Sequence, residues 1–506
     1  MTCLRLPASL MAAIALVAIS CPAAARDGVG GGPYLASEVQ VALAPGVSIQ
    51  TIHDRYGTQT ADSLPPSYLL QLPDSGLEEN WVERLRRDPD IQAAECSWRD
   101  ETPEGVRQMV VIVVGGTIDG YLDQGFLNRL RIPEVQTQYP GDGVLVAILD
   151  TGLSPDHEAL SGCVDPRGWD FVDNDSDPSE TAGGEDEDED GLIDEGFGHG
   201  TMVAGVVHLL APAAGLLPLR VLDDEGTGQV FDVAKAIRYA VEQGADVINL
   251  SLGLLQHTFV IQTEILRAHQ SGVAIVAAAG NLASDSPAYY PAIDPQTLSV
   301  AALDSSDVKA EFSNWHPSVD ISAPGVGILA PYPGGSYAVG AGTSFAAPFI
   351  SAQCAWILDG APPLPIVELY RLVREGAVDI YQIPENAPYS NELGTGRVDG
   401  WLTLAAIEGA SAAIAPFPRP LPALRVWPNP FAAGTTVSIK GPASQFEAMP
   451  LRVHGVDGRL VLQLTPKPAG TEIEWELPEG AALPAGIYLL APDGAGRARG
   501  RLVVIR

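Results

Sequence analysis

Apolar and polar positions follow three different patterns along the chain, and each predicts a different architecture. Over residues 27–104, short alternating runs are interleaved with helical spacing. Residues 39–43 (Val-Gln-Val-Ala-Leu) alternate like a strand, residues 49–56 have a helical pattern, and residues 68–72 form another strand-like run. Leu77, Trp81 and Leu85 then fall on one face of a helix over 77–87, which Asp88-Pro89-Asp90 ends. Residues 91–96 are a last strand. The order predicts a ferredoxin-like β-α-β-β-α-β unit of the α+β class. Residues 105–130 read as a connector, and the apolar β-rich run at 109–114 has no clear place in either neighbour.

From Gly143 the apolar runs become continuous: residues 144–149, 246–250, 273–278 and 298–302. Unbroken runs of this length suit parallel strands buried on both faces. Helical patterns at 230–243 and 258–271 lie between them, and the run 349–358 reads as a buried helix. Residues 131–410 are therefore predicted to form an α/β domain with a doubly wound parallel sheet. In such sheets functional residues gather at the carboxyl ends of the strands, where Asp150 and Asn281 fall. Residues 411–424 are Pro-rich and read as a linker. Short strand patterns over 425–506, with Asp457-Gly458 and Asp493-Gly494 as hairpin turn signals, predict a small β-sandwich.

Composition narrows the setting. The 506 residues carry a formal charge of −34 and a pI near 4.4, which excludes nucleic acid as a natural partner because phosphate binding needs Lys and Arg. Residues 1–25 combine Arg5, an apolar run at 10–19 and Ala23-Ala24-Ala25, the pattern of a secretory signal peptide, with lipid attachment at Cys21 as the alternative. No other charge-free run is long enough to cross a bilayer. The expected location is secreted or at a bacterial cell surface. Cys96, Cys163 and Cys354 remain beyond the signal segment; three thiols do not make a disulfide framework, and free thiols or one Cys163–Cys354 bridge are the alternatives.

The chemistry is carried by Gly342-Thr343-Ser344-Phe345-Ala346-Ala347-Pro348. A serine in the first turn of a helix lies where free backbone N–H groups converge, which suits a nucleophile and suits an ordinary helix cap equally well. A nucleophile needs a base, and among eight histidines only His199 has glycines on both sides and a small-residue helix after it. The imidazole needs a carboxylate to orient it, and Asp150 ends a buried strand before Thr151-Gly152. A tetrahedral intermediate needs N–H donors: the Ser344 backbone and the Asn281 side chain in Ala278-Ala279-Gly280-Asn281.

These residues resemble the motifs of subtilisin-like serine proteases, the subtilases of peptidase family S8. Ala147-Ile148-Leu149-Asp150-Thr151-Gly152, His199-Gly200-Thr201-Met202-Val203-Ala204-Gly205 and Gly342-Thr343-Ser344-Phe345-Ala346-Ala347-Pro348 match the three active-site motifs in order, and Ala279-Gly280-Asn281 matches the oxyanion motif. Met202 replaces a frequent second histidine and Phe345 a commoner methionine. The resemblance implies peptide-bond hydrolysis through a Ser344 acyl-enzyme, with His199 as base, Asp150 as its orienting partner, Asn281 at the oxyanion, and no catalytic cofactor. It implies that Ser251, Leu252, Gly253, Ala278, Ala279 and Gly280 wall a cleft for an extended polypeptide substrate. It also implies that the first unit is an inhibitory propeptide, cut away between residues 98 and 130, a retained accessory domain being the alternative. A scaffold protein on an inactive protease fold is the rival from another class.

Two further segments carry resemblances. Val426-Trp427-Pro428-Asn429-Pro430-Phe431, Asp457-Gly458-Arg459 and Leu483-Pro484-Ala485-Gly486-Ile487-Tyr488 resemble the C-terminal sorting domains of type IX secretion substrates and FlgD-like immunoglobulin-type modules, implying secretion machinery as a partner; a plain accessory sandwich is the alternative. Asp186, Asp188, Asp190, Leu192, Asp194 and Glu195 resemble an EF-hand-type calcium loop, although Phe197 stands where the last glutamate belongs. A solvated acidic insertion is the other reading.

Overall fold

The computed structural model describes residues 34–101, 112–113, 116–184, 193–285, 289–361 and 363–413, and short strands between 425 and 505. It divides into two compact units, one of Met1–Arg99 with Gly184–Ile193 and the other of Asp100–Gly183 with Asp194–Arg506.

The first unit runs β1 (Tyr34–Leu43), α1 (Ile49–Tyr56), β2 (Gln59–Leu64), β3 (Ser67–Gln71), α2 (Glu78–Leu85) and β4 (Ile91–Glu101). Within it the strand order is β2-β3-β1-β4, antiparallel throughout. The alternation that predicts β1 buries Val39 and Val41, which pack in a core with Ile52, Leu70 and Leu85. Ser48 caps α1 by accepting from Gln50 N, and Gly57 closes it in the left-handed conformation. β2 has no hydrophobic signature in the sequence because it is polar and mostly exposed, paired only with β3.

The second unit contains a nine-stranded sheet. In chain order its elements are β5 (Leu145–Asp150), β6 (Trp169–Asp170), α3 (His199–Leu210), β7 (Gly215–Arg220), α4 (Val230–Glu242), β8 (Val247–Leu250), α5 (Phe259–Gln270), β9 (Ala274–Ala278), β10 (Leu298–Leu303), β11 (Ile321–Pro324), α6 (Thr343–Gly360), α7 (Ile366–Glu375), β12 (Ala377–Val378), β13 (Arg397–Val398) and α8 (Gly400–Ala413). The sheet order is β12-β13-β11-β10-β9-β8-β5-β7-β6, parallel except for the β12–β13 pair. Val146, Ile148, Val247, Val276, Val300 and Ile321 point to one face and share a core with Val203, Val207, Phe349 and Trp356 of α3 and α6. Helices α4 and α5 pack on β5 and β9. Layers on both sides explain the unbroken apolar runs.

Residues 112–130 join this second unit where they are described. Ile112–Val113 pairs with Ala338 and Val339. The buried Tyr121 hydroxyl donates to Gly205 O at 2.7 Å, and Gln124 both donates to Leu329 O (2.8 Å) and accepts from Leu329 N (3.0 Å). The 109–114 run is thus partly a strand of the hairpin Val326–Tyr332/Ser336–Ala341.

Toward the C-terminus, every strand read from the pattern is present. One sheet has the order Arg425–Trp427, Val437–Pro442, Glu472–Leu477, Lys467–Ala469; the other runs Phe431–Ala432, Gly500–Ile505, Gly486–Pro492, Leu451–Gly455, Leu460–Leu464. The two Asp-Gly turns and the Pro-rich linker beyond Ala413 lie outside the described residues. Cys96, Cys163 and Cys354 are all free thiols, so the Cys163–Cys354 bridge does not form.

Candidate active site

Three adjacent parallel strands, β5, β8 and β9, end at the same edge of the sheet. Asp150 is the last residue of β5, Ser251 follows β8, and Asn281 lies three residues past β9. Helices α3 and α6, packed against each other over this sheet, bring in His199 as the first residue of α3 and Ser344 in the first turn of α6. All five residues are buried, at 0–3% exposure, so their polar groups interact in a medium that screens them weakly.

His199 Nδ1 lies 2.6 Å from Asp150 Oδ1. Asp150 Oδ1 also accepts from Thr151 N at 2.9 Å, which holds the carboxylate in place. The approach needs Gly200: a Cβ there would fall 2.1 Å from Gly152 O and 3.1 Å from Asp150 Cβ. His199 also makes an edge contact with the ring of Phe345, the residue after Ser344, with centroids 5.7 Å apart.

Ser344 is fixed by a helix defect. Its carbonyl should accept from the N–H four residues on, but that residue is Pro348, which has none. Ser251 Oγ supplies the missing donor at 2.9 Å, and the Ser344 hydroxyl donates back to Ser251 O at 3.2 Å. Ser251 Oγ in turn accepts from Asn249 Nδ2 (2.9 Å), and Asn249 Oδ1 accepts from Ser351 Oγ (2.8 Å). A buried chain of side chains therefore runs from the middle of α6 through β8 back to the nucleophile's own backbone.

Thr343 ties α6 to β9. Its N–H and hydroxyl both donate to Asn281 Oδ1 at 2.9 Å, and its Oγ1 accepts from Gly280 N at 3.1 Å. With the carbonyl end of the Asn281 amide committed to Thr343, any donor role at an oxyanion falls to its NH2 end. Of the six residues expected to wall a cleft, Ser251 bonds to Ser344 and Gly280 to Thr343, and Gly253 and Gly280 share Tyr289 as a neighbour.

Pattern reading missed Glu180, which sits in an acidic surface-like stretch, Asp177-Pro178-Ser179-Glu180. Part of the residue reaches solvent. It accepts from Thr151 Oγ1 (2.5 Å), from Gly200 N (3.1 Å) and from the Thr201 hydroxyl. It thus bonds to residues flanking both Asp150 and His199. Burial, with a smaller contribution from the Asp150 charge, pushes its pKa up to about 7 against the pull of the two threonine hydrogen bonds.

Of the expected calcium ligands, Asp186, Asp188, Asp190 and Leu192 lie outside the described residues. Asp194 Oδ1 accepts from Gly183 N at 3.0 Å, and the Asp224 carboxylate accepts from the same N–H. Burial and the neighbouring Asp194 raise the Asp224 pKa. Among the described residues no group of three or more His, Cys, Asp or Glu side chains converges as a metal site.

The sequence profile of the Subtilase family matches residues 141–399. Thermitase of Thermoactinomyces vulgaris is 38% identical over 234 residues, 44% of this chain and 78% of its own. Subtilisin E of Bacillus subtilis is 32% identical over 299 residues, 56% and 70% of the two chains. Among solved structures, fervidolysin from Fervidobacterium pennivorans superposes with a TM-score of 0.62 at 21% identity, over 92% of this chain and 71% of that one, a likeness of fold.

A carboxyl group whose pKa is raised on folding stabilises the native state below its unfolded pKa, near 4.5 here, and that contribution is lost as pH rises through about 7. Glu180→Gln removes the titration. The melting temperature of the wild type should therefore fall relative to that of the variant between pH 4.5 and 8; parallel curves would contradict the assignment.

Proposed function

Because the chain belongs to the subtilase family of serine-type endopeptidases, we propose that Asp150, His199, Ser344 and Asn281 are its catalytic residues and that it hydrolyses polypeptides outside the cell through an acyl-enzyme. The observation that carries the reading is the 2.6 Å contact of His199 Nδ1 with Asp150 Oδ1, beneath a helix that starts at the nucleophile.

In this mechanism Asp150 fixes the tautomer with the proton on Nδ1, so Nε2 is the basic nitrogen. The Ser344 hydroxyl, resting on Ser251 O, turns to Nε2 as the substrate carbonyl arrives, gives up its proton and attacks. The new oxyanion takes N–H bonds from Ser344 and from the Asn281 amide, which Thr343 holds in the required orientation. His199 then protonates the leaving amine, and water repeats the sequence on the ester. Substrate backbone adds as a strand between residues 251–253 and 278–280. Phe345 and Met202, both fully buried, leave this chemistry unchanged.

The first unit, with its β-α-β-β-α-β order, serves as an inhibitory propeptide. The ties of residues 112–130 to the second unit favour a maturation cut in the part of the 98–130 window that precedes Ile112. The C-terminal strands form a sandwich that addresses the protein to a secretion machinery. Secretion agrees with the signal-like residues 1–25, with the extracellular protease of Natrialba magadii among the relatives, and with the lack of any described helix long and apolar enough to cross a membrane. Calcium would be held by Asp186, Asp188, Asp190, Asp194, Glu195 and the Leu192 carbonyl, an all-oxygen set suited to a hard cation. Its role would be to anchor the segment leading into His199, beside which Asp194 and Asp224 accept from the same Gly183 N–H.

Asn281→Ala should lower kcat by about 100- to 1000-fold with little change in KM, the magnitude known for the equivalent donor of subtilisin itself. Ser344→Ala should abolish turnover of casein; retained turnover would overturn the reading. Mass spectrometry of the secreted protein should find its N-terminus between Trp98 and Ile112, and an N-terminus upstream of Trp98 or downstream of Ile112 would refute the proposed cut. Chelation by EDTA should lower the melting temperature, whereas an unmoved transition would exclude structural calcium.

A further inference from the structure

We infer that Tyr289 plugs the side-chain slot beside the scissile bond, so that the enzyme cuts after small residues and rejects large aromatic ones at that position. The inference rests on the protease reading above.

Two wall segments meet the first turn of α6. Ser251 exchanges hydrogen bonds with Ser344, and Gly280 N donates to Thr343 Oγ1. Each wall has a glycine where a side chain would otherwise project into the space between them, which is where the side chain next to the attacked carbonyl must go. In this molecule one ring already lies against both glycines. A Cβ built on Gly253 would fall 2.6 Å from Tyr289 Cε1 and 2.9 Å from Cδ1. One built on Gly280, whose φ of +96° already favours glycine, would fall 2.9 Å from Tyr289 Cγ and 3.2 Å from Cδ1. The same edge of the Tyr289 ring thus borders the space at both glycines, together with Tyr290 O at Gly253 and Asn314 Nδ2 at Gly280, each 2.5 Å from the added Cβ.

The ring is held there rather than resting loosely. Tyr290 and Leu254 exchange two backbone hydrogen bonds of 2.8 Å, which fixes Tyr289 beside Gly253. Tyr289 O accepts from Ile293 N at 3.0 Å. On the other wall Asn314 donates through Nδ2 to Ala279 O and through its backbone N to Gly280 O, both at 2.9 Å. Tyr289 is 3% exposed. A methyl group fits beside such a ring, whereas a phenyl group would have to displace it and lose its contacts with both walls.

The test uses the mature enzyme and peptide substrates that differ only in having alanine or phenylalanine before the cleaved bond. The wild type should show a higher kcat/KM for alanine. Tyr289→Ala should raise the phenylalanine-to-alanine ratio of kcat/KM by at least about tenfold, the discrimination expected from pocket volume. Tyr289→Leu, which keeps an apolar filler, should give an intermediate ratio. A wild type that prefers phenylalanine, or variants whose ratio is unchanged, would overturn the plug. Wild-type preference alone decides the matter if a variant does not fold. Failure of the protease reading is separate: it would appear as cleavage of the alanine peptide that persists in Ser344→Ala.

Discussion

The parallel pairing of β5, β8 and β9 is the constraint on which the rest of the second unit depends. Three strands running side by side in the same direction deliver Asp150, Ser251 and Asn281 to one edge of the sheet. None of the three is near another in the chain. Parallel strands require covered faces, and the helices that cover one face, α3 and α6, carry His199 and Ser344. The fold and the site are thus one arrangement: the apolar contacts that bury α3 against α6 also fix His199 relative to Ser344.

Local departures from regular structure do the fine positioning. Pro348 leaves the Ser344 carbonyl without its helical donor, and the vacancy is filled by Ser251, itself held by Asn249 and Ser351. Gly200 lets the turn after Asp150 approach the start of α3. Thr343 bonds α6 to the turn after β9, and Glu180 bonds both to the turn after β5 and to the start of α3, so the relative position of those elements is set by hydrogen bonds as well as by packing. Such bonds, buried and mutually oriented, contribute preorganisation that flexible surface groups could not.

What the sequence made legible follows from how each feature is encoded. Asp150 and Asn281 stand at the ends of unbroken apolar runs, and His199 and Ser344 open small-residue helices, so a one-dimensional pattern marks all four. The strands of the first unit were legible where one face is buried; β2, polar and with a single partner, was not. Glu180 reads as part of an acidic loop because its donors, Thr151, Gly200 and Thr201, are 20 or more residues distant and come together only through folding. Tyr289 was hidden for a similar reason: its relation to Gly253 and Gly280 is a matter of space, not of spacing.

The central claim is that Ser344 is a nucleophile activated by this arrangement and not simply the first turn of a helix. A fluorophosphonate reacts covalently with an activated serine and leaves ordinary hydroxyls untouched. After reaction of the mature protein and proteolytic digestion, mass spectrometry should locate a single adduct on Ser344, absent when the protein is unfolded before labelling. An adduct elsewhere, or none on a folded and mature protein, would contradict the account.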